Sequence, residues 1–354
     1  MPPQQPMKIT AATDSSPRLF WQILLQLLTL ALLSVPLSTY ATGFSLLAVE
    51  LPEEKPLQIG IWYPTDSPVP ENPNSPFGQA LALNAPIKGK DRPLILISHG
   101  YGGWLGSHAN TALALAQAGF VVAAPSHSGN TFGDMSSPSP QWVLDRPRHI
   151  SQTIDQLTKH WPQREALRDG KVGIFGFSAG GLTALNLIGA LPNLDRAASH
   201  CESVPEEFAC KEGLVASLAK SDLPQLPPAA WGADRRIGAA AIAAPGLGIA
   251  FDANALAGIE VPVQLWSGLE DKRVPHNSNA QPIADALDER AEFHWIEDAG
   301  HFSFLLPRCR PALKQSEPDT WELLCVDKPG FDRQAFHQHM NRELVRFFRQ
   351  QLQD

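Results

Sequence analysis

The 354-residue chain predicts an α/β fold: a mostly parallel sheet flanked by helices, with a lid-like insertion over 192–235, after the helix over 182–191. Three observations predict it. From residue 94 onward, short apolar runs of strand length alternate with longer helix-like stretches. Ahead of them, residues 46–51 and 57–63 flank the turn Glu53-Glu54-Lys55, which suits an antiparallel opening pair. Finally, Gly176-Phe177-Ser178-Ala179-Gly180-Gly181 joins the apolar run Val172-Gly173-Ile174-Phe175 to a helix-like stretch, the context that makes G-x-S-x-G a nucleophile elbow.

Taken in order, Leu94-Ile95-Leu96-Ile97 is wholly apolar and suits a strand buried on both faces. A helix over 110–118, a strand over 120–124, a long loop and a helix over 150–160 follow. The strand 172–175 and the helix 182–191 enclose the elbow. Further strands are expected over 237–244, 261–266 and 292–296, with a helix over 280–288 and an amphipathic terminal helix over 331–352. Two segments interrupt the rhythm. Residues 192–235, rich in Pro, Leu and Ala, read as a lid over the crevice edge. Residues 306–330 form a second excursion.

The two excursions hold the four cysteines, Cys201, Cys210, Cys309 and Cys325. Three pairings are possible; Cys201–Cys210 and Cys309–Cys325 are favoured because each pair brackets one short polar segment. Neither pair has C-x-x-C spacing and no histidine cluster joins them, so no metal site is expected. Residues 1–41 read as a secretory signal peptide, with a polar start, an apolar run over 19–33 and Thr39-Tyr40-Ala41 at the cleavage site. An uncleaved anchor is the alternative, disfavoured because the run is short and carries Gln22 and Gln26. An even cysteine count agrees with export to the periplasm or beyond. The net charge is −8 for the chain and −9 for residues 42–354, with no basic stripe, which argues against a nucleic-acid partner.

Serine is a weak nucleophile until a base takes its proton, and the base needs an orienting acid. Ser178 is the candidate nucleophile. Asp271, in the loop after the strand 261–266, is the candidate acid, with Glu270 as competitor. His301, in Gly300-His301-Phe302 after the last strand, is the candidate base. Two backbone N–H groups should hold the oxyanion: that of Ala179, and that of Tyr101 in Ser98-His99-Gly100-Tyr101-Gly102-Gly103, with Gly100 and Gly102 as alternatives. His99 is read as packing locally. Trp104, Phe177, Trp142, Trp231 and His127 are candidate substrate contacts, each set against plain packing. No cofactor is required.

These residues resemble a family. The His99-Gly100-Tyr101-Gly102 loop, the 176–181 elbow, the 268–275 acid loop and Gly300-His301 resemble the α/β-hydrolase superfamily. Within it they are similar to the exported group of predicted dienelactone hydrolases related to platelet-activating-factor acetylhydrolase. The segments 142–147 and 124–131 also look like this group, and the likeness spans roughly 57–304. It implies the α/β-hydrolase fold, the chain order serine, acid, histidine, and an esterase of lipid-like or small esters, in transient contact with a lipid surface where the substrate is lipid-like. True dienelactone hydrolases use a cysteine nucleophile, and this elbow carries Ser178. Polyester hydrolysis, peptide cleavage or acyl transfer on the same triad, or a non-catalytic binding module, stand as alternatives. Oligomeric state is not legible.

Overall fold

The computed structural model describes residues 40–137 and 140–353. The expected signal peptide lies outside the described residues except for Tyr40 and Ala41. Tyr40 N–H already donates to the Gln117 carbonyl (3.2 Å), and Ala41 opens the first strand.

Strand β1 (Ala41–Val49) and β2 (Leu57–Thr65) form the antiparallel pair, in register from Ala41 opposite Thr65 to Val49 opposite Leu57. β1 begins five residues earlier than its apolar pattern suggested. A two-residue β3 (Ala82–Leu83), absent from the sequence reading, runs parallel to β1 at the sheet edge. β2 runs antiparallel to β5 (Val121–Ser126). From there β5, β4 (Arg92–Ser98), β6 (Leu167–Phe177), β7 (Ile237–Ala243), β8 (Val263–Gly268) and β9 (Ala291–Ile296) are successive parallel neighbours. The whole forms one sheet, ordered β3-β1-β2-β5-β4-β6-β7-β8-β9.

The period-two geometry of a strand splits the core in two. Leu94, Leu96, Val121, Ala123, Val172 and Ile174 face one side, and Ile95, Ile97, Val122, Ala124 and Phe175 face the other. The first side is covered by α2 (Trp142–Asp155), α3 (Ala179–Leu187) and α7 (Ala280–Leu287). The second is covered by α1 (Ala109–Gln117) and the terminal α10 (Arg333–Leu352), whose Phe336, Met340, Leu344, Phe348 and Leu352 repeat at helical spacing and are buried.

Connection order places the site. From β4 the chain crosses through α1 to β5 on one side, then returns through α2 to β6 on β4's other side. The direction of winding therefore reverses between β4 and β6. Loops leaving their carboxyl ends diverge there and open a crevice. The loop after β4 begins at His99, and the turn after β6 carries Ser178.

Helix α2 corrects the sequence reading. It starts at Trp142 rather than near 150 and carries Pro147 inside it. Proline removes one helical donor and so works against a helix there. Packing decides instead: Trp142, Val143, Arg146, Pro147, His149 and Ile150 are all buried.

Residues 192–235 fold as α4 (Leu194–Ser203), α5 (Phe208–Lys211) and α6 (Leu214–Ala219) with two short turns, and 306–330 as α8 (Pro311–Ser316) and α9 (Pro318–Cys325). Each contains one disulfide, Cys201–Cys210 and Cys309–Cys325, as favoured from the sequence. No helix among the described residues is long and apolar enough to cross a membrane. Removing the first disulfide with Cys201→Ser/Cys210→Ser should cost about 2–3 kcal/mol, from the released loop entropy. A thermal melt should show a Tm lower by several degrees; an unchanged Tm would mean that packing alone holds the insertion.

Candidate active site

The elbow depends on small residues. A Cβ at Gly176 would stand 2.1 Å from the Gly180 carbonyl oxygen, and one at Gly180 would stand 1.9 Å from the Ser98 oxygen. Only glycine at both positions lets β6, the turn and β4 close on one another. Ser178 itself holds φ 55°, ψ −117°, a conformation side-chain-bearing residues avoid. Three anchors hold it there: Ser178 N–H donates to the Ala243 carbonyl (2.9 Å), while its own carbonyl accepts from Gly181 (2.8 Å) and Gly246 (2.9 Å). The turn leads directly into α3, whose first residue is Ala179. Early helical N–H groups lack intrahelical partners and carry the positive end of the helix dipole.

Ser178 Oγ lies 3.0 Å from His301 Nε2, and His301 Nδ1 lies 2.7 Å from Asp271 Oδ2. The acid fixes the tautomer: Nδ1–H donates to the carboxylate, leaving the Nε2 lone pair to accept from the serine hydroxyl. Asp271 is buried, and its second oxygen accepts from the N–H groups of Arg273 (2.8 Å) and Val274 (2.7 Å). Its competitor Glu270 instead pairs with Lys328 at the surface. The His301 loop is tied from behind. Ser303 Oγ accepts from Gly300 N–H (2.9 Å) and donates to Asp327 (2.6 Å), which also pairs with Arg333. The second excursion thus backs the histidine.

Comparison with known proteins bears on the fold. Residues 93–219 match a family model described as the alpha/beta hydrolase fold. Among solved structures, a ferulic acid esterase from Streptomyces cinnamoneus is similar, with a TM-score of 0.59, 16% identity, and coverage of 90% of this chain and 92% of that one. The chain has the α/β-hydrolase fold.

The α/β-hydrolase crevice is bordered on one side by the loop after β4. A Cβ at Gly100 would lie 3.5 Å from Ser178 Cβ, so this loop passes directly beside the serine. Its peptides are held from within. His99 Nε2 accepts from His127 N–H (3.1 Å), so its proton resides on Nδ1, which donates to the Gly100 carbonyl (2.7 Å). Gly103 N–H donates to the same carbonyl (3.0 Å). Because the peptide is planar and trans, the Tyr101 N–H points opposite to that carbonyl, away from the loop interior. His99 is therefore a local brace, and its ring, stripped of water, is held well below the usual histidine pKa.

The five candidate substrate contacts mostly turn inward. His127 is fully buried, with Nε2 on Ser98 Oγ (3.0 Å), so its ring braces β4, the packing alternative of the sequence reading. Trp231 is buried in the same core cluster as Val215 and Leu218 of the insertion. Trp142 is buried beneath the exposed Tyr101 ring, edge to face at 5.5 Å. Phe177 is buried and backs the His301 ring at 4.9 Å. Trp104 is half-buried against Phe77 (6.1 Å).

The insertion reaches the site through residues the sequence reading passed over. Glu207 accepts from Asn279 (2.9 Å), and the Arg273 guanidinium lies over the rings of Phe208 (4.2 Å) and Phe302 (5.2 Å). It thereby links the insertion, the acid loop and the residue after His301. A cavity of about 1070 Å³ between insertion and acid loop reaches Asp271, and another of about 770 Å³ between the acid loop and the second excursion reaches His301. None of the five candidates lines either cavity.

Proposed function

We propose that this chain is an exported serine carboxylic ester hydrolase acting on small or lipid-like esters, as its resemblance to the predicted dienelactone hydrolase group implies. One observation carries the reading: the unbroken hydrogen-bonded series Ser178–His301–Asp271, with the serine on a strained elbow at a helix start. The esterase activity of the structurally similar ferulic acid esterase supports it, and the two disulfides support export.

Ser178 Oγ attacks the ester carbonyl as His301 Nε2 takes its proton, and Asp271 stabilises the imidazolium. The N–H groups of Ala179 and Tyr101 bind the developing oxyanion. As the tetrahedral adduct collapses, His301 gives its proton to the leaving alcohol. Water, deprotonated by His301, then cleaves the acyl-enzyme and restores Ser178. The test is a fluorophosphonate probe followed by peptide mapping, alongside initial rates on p-nitrophenyl esters of increasing acyl length. Labelling at Ser178 with ester turnover is expected. Folded protein that neither labels nor turns over any ester overturns the reading.

A further inference from the structure

Arg146 is a wholly buried guanidinium that, among the described residues, pairs with no carboxylate. Its donors reach neutral acceptors only: the His99 carbonyl, Asn130 Oδ1 (2.7 Å), Thr183 Oγ1 (3.3 Å) and, at the limit, Ser98 Oγ (3.5 Å). Taking an unpaired cation out of water is among the costliest arrangements in a protein interior. Burial accordingly pushes the Arg146 pKa down to about 9. A buried cation without a counterion calls for a use.

Its surroundings supply one. Ser98 ends β4, His99 opens the loop beside Ser178, and Thr183 stands one turn into α3. These are the two elements assigned the oxyanion donors. Arg146 holds the His99 carbonyl inward, and His99 Nδ1–H holds the next carbonyl, that of Gly100, inward in turn. Two successive peptides are thus locked with their N–H groups facing away from the brace. No carboxylate neutralises the charge that does this.

We propose that Arg146 is a positioning residue for the oxyanion hole: it fixes the loop after β4 and lays an unpaired positive charge beneath the site where negative charge develops. This rests on the ester hydrolase reading above. A group that acts only on the transition state lowers kcat and kcat/KM together and leaves KM alone.

The test uses p-nitrophenyl butyrate with sites counted by fluorophosphonate titration, on wild type, Arg146→Met, Arg146→Lys and Asn130→Asp. Arg146→Met should lower kcat per titrated site by on the order of 10²-fold, the scale of losing one oxyanion contact, with KM changed by less than about threefold. Arg146→Lys should recover part of that loss. Asn130→Asp places a carboxylate against the guanidinium at the existing contact, so it should lower kcat by about tenfold without lowering Tm. If Arg146→Met reduces Tm and the number of titratable sites while kcat per site stays at wild type, the role is structural and the proposal falls. If Arg146→Met does not fold, Asn130→Asp decides: wild-type kcat there overturns the proposal. Failure of the wild type itself to label or hydrolyse is failure of the hydrolase reading, and is seen before any variant is compared.

Discussion

Ser178→Ala should leave the melt of the protein unchanged and lower kcat on a short aryl ester by on the order of 10⁴- to 10⁶-fold. The expectation rests on how the three groups depend on one another. In the proposed mechanism Asp271 orients and stabilises His301, and His301 first takes the proton of Ser178, to which it is hydrogen-bonded. Once the serine hydroxyl is gone no acyl-enzyme forms, so the later steps assigned to base and acid do not arise. Ser178→Ala/His301→Ala should therefore be no slower than either single variant. Asp271→Asn keeps the shape but presents the wrong partner to Nδ1–H, and should cost about 10⁴-fold. Glu270→Gln should stay near wild type, because Glu270 is paired with Lys328 at the surface. Wild-type turnover by Ser178→Ala, or additive losses in the double variant, would place the chemistry elsewhere.

The residues of the candidate site stand out in the sequence because the proposed chemistry imposes local rules. A nucleophile on a sharp turn needs small residues two before and two after, so Gly176 and Gly180 stand in the sequence as a pattern. The acid and the base each follow a strand, where the crevice of an open parallel sheet must be. What supports these residues was not legible in the same way. Arg146 lies in the same segment as Trp142 and Pro147, and nothing local says that its side chain runs beneath β4. Its role exists only once α2 is seen to carry on through Pro147, a choice made by tertiary packing against propensity. The aromatic candidates were open between substrate contact and plain packing for a related reason. A loop position places a backbone near the crevice but does not say which way a side chain turns. Trp142 and Phe177 border the site from within, while Trp231 is buried in the same core cluster as residues of the insertion. The insertion meets the acid loop through Phe208 and Arg273, a contact between residues 65 positions apart that no spacing rule anticipates.

The same buried brace should make the protein labile to acid. Five histidines, His99, His108, His127, His149 and His337, are buried, and loss of hydration holds each below the usual value, His108 down to about 3 and His337 to about 4. At pH 7 they are neutral whether the chain is folded or not, so they do not affect stability. Below about pH 6.5 the unfolded chain takes up protons that the native one refuses. Stability then rises with pH and falls as pH falls, by up to about 1.4 kcal/mol per pH unit for each histidine, until the native pKa is reached. Carboxylates held low by ion pairs, such as Asp155 and Asp234, work in the same direction but only below about pH 4. Between pH 7 and 5 the histidines therefore act alone, and the sum is large against a native stability of about 5–15 kcal/mol. Tm should drop by at least about 10 °C over that interval. His108 offers the control: both its ring nitrogens are buried without a hydrogen-bond partner among the described residues, and it packs edge to face on Phe175 (5.3 Å) and Phe177 (5.2 Å). His108→Phe keeps that apolar packing and removes one titrating site, so its Tm should fall less steeply with acid than the wild type's. A Tm flat from pH 7 to 5, or a variant with an unchanged slope, would show that these rings are protonated in the folded protein, and that the interior beneath the Ser178 crevice is wetter than its packing implies.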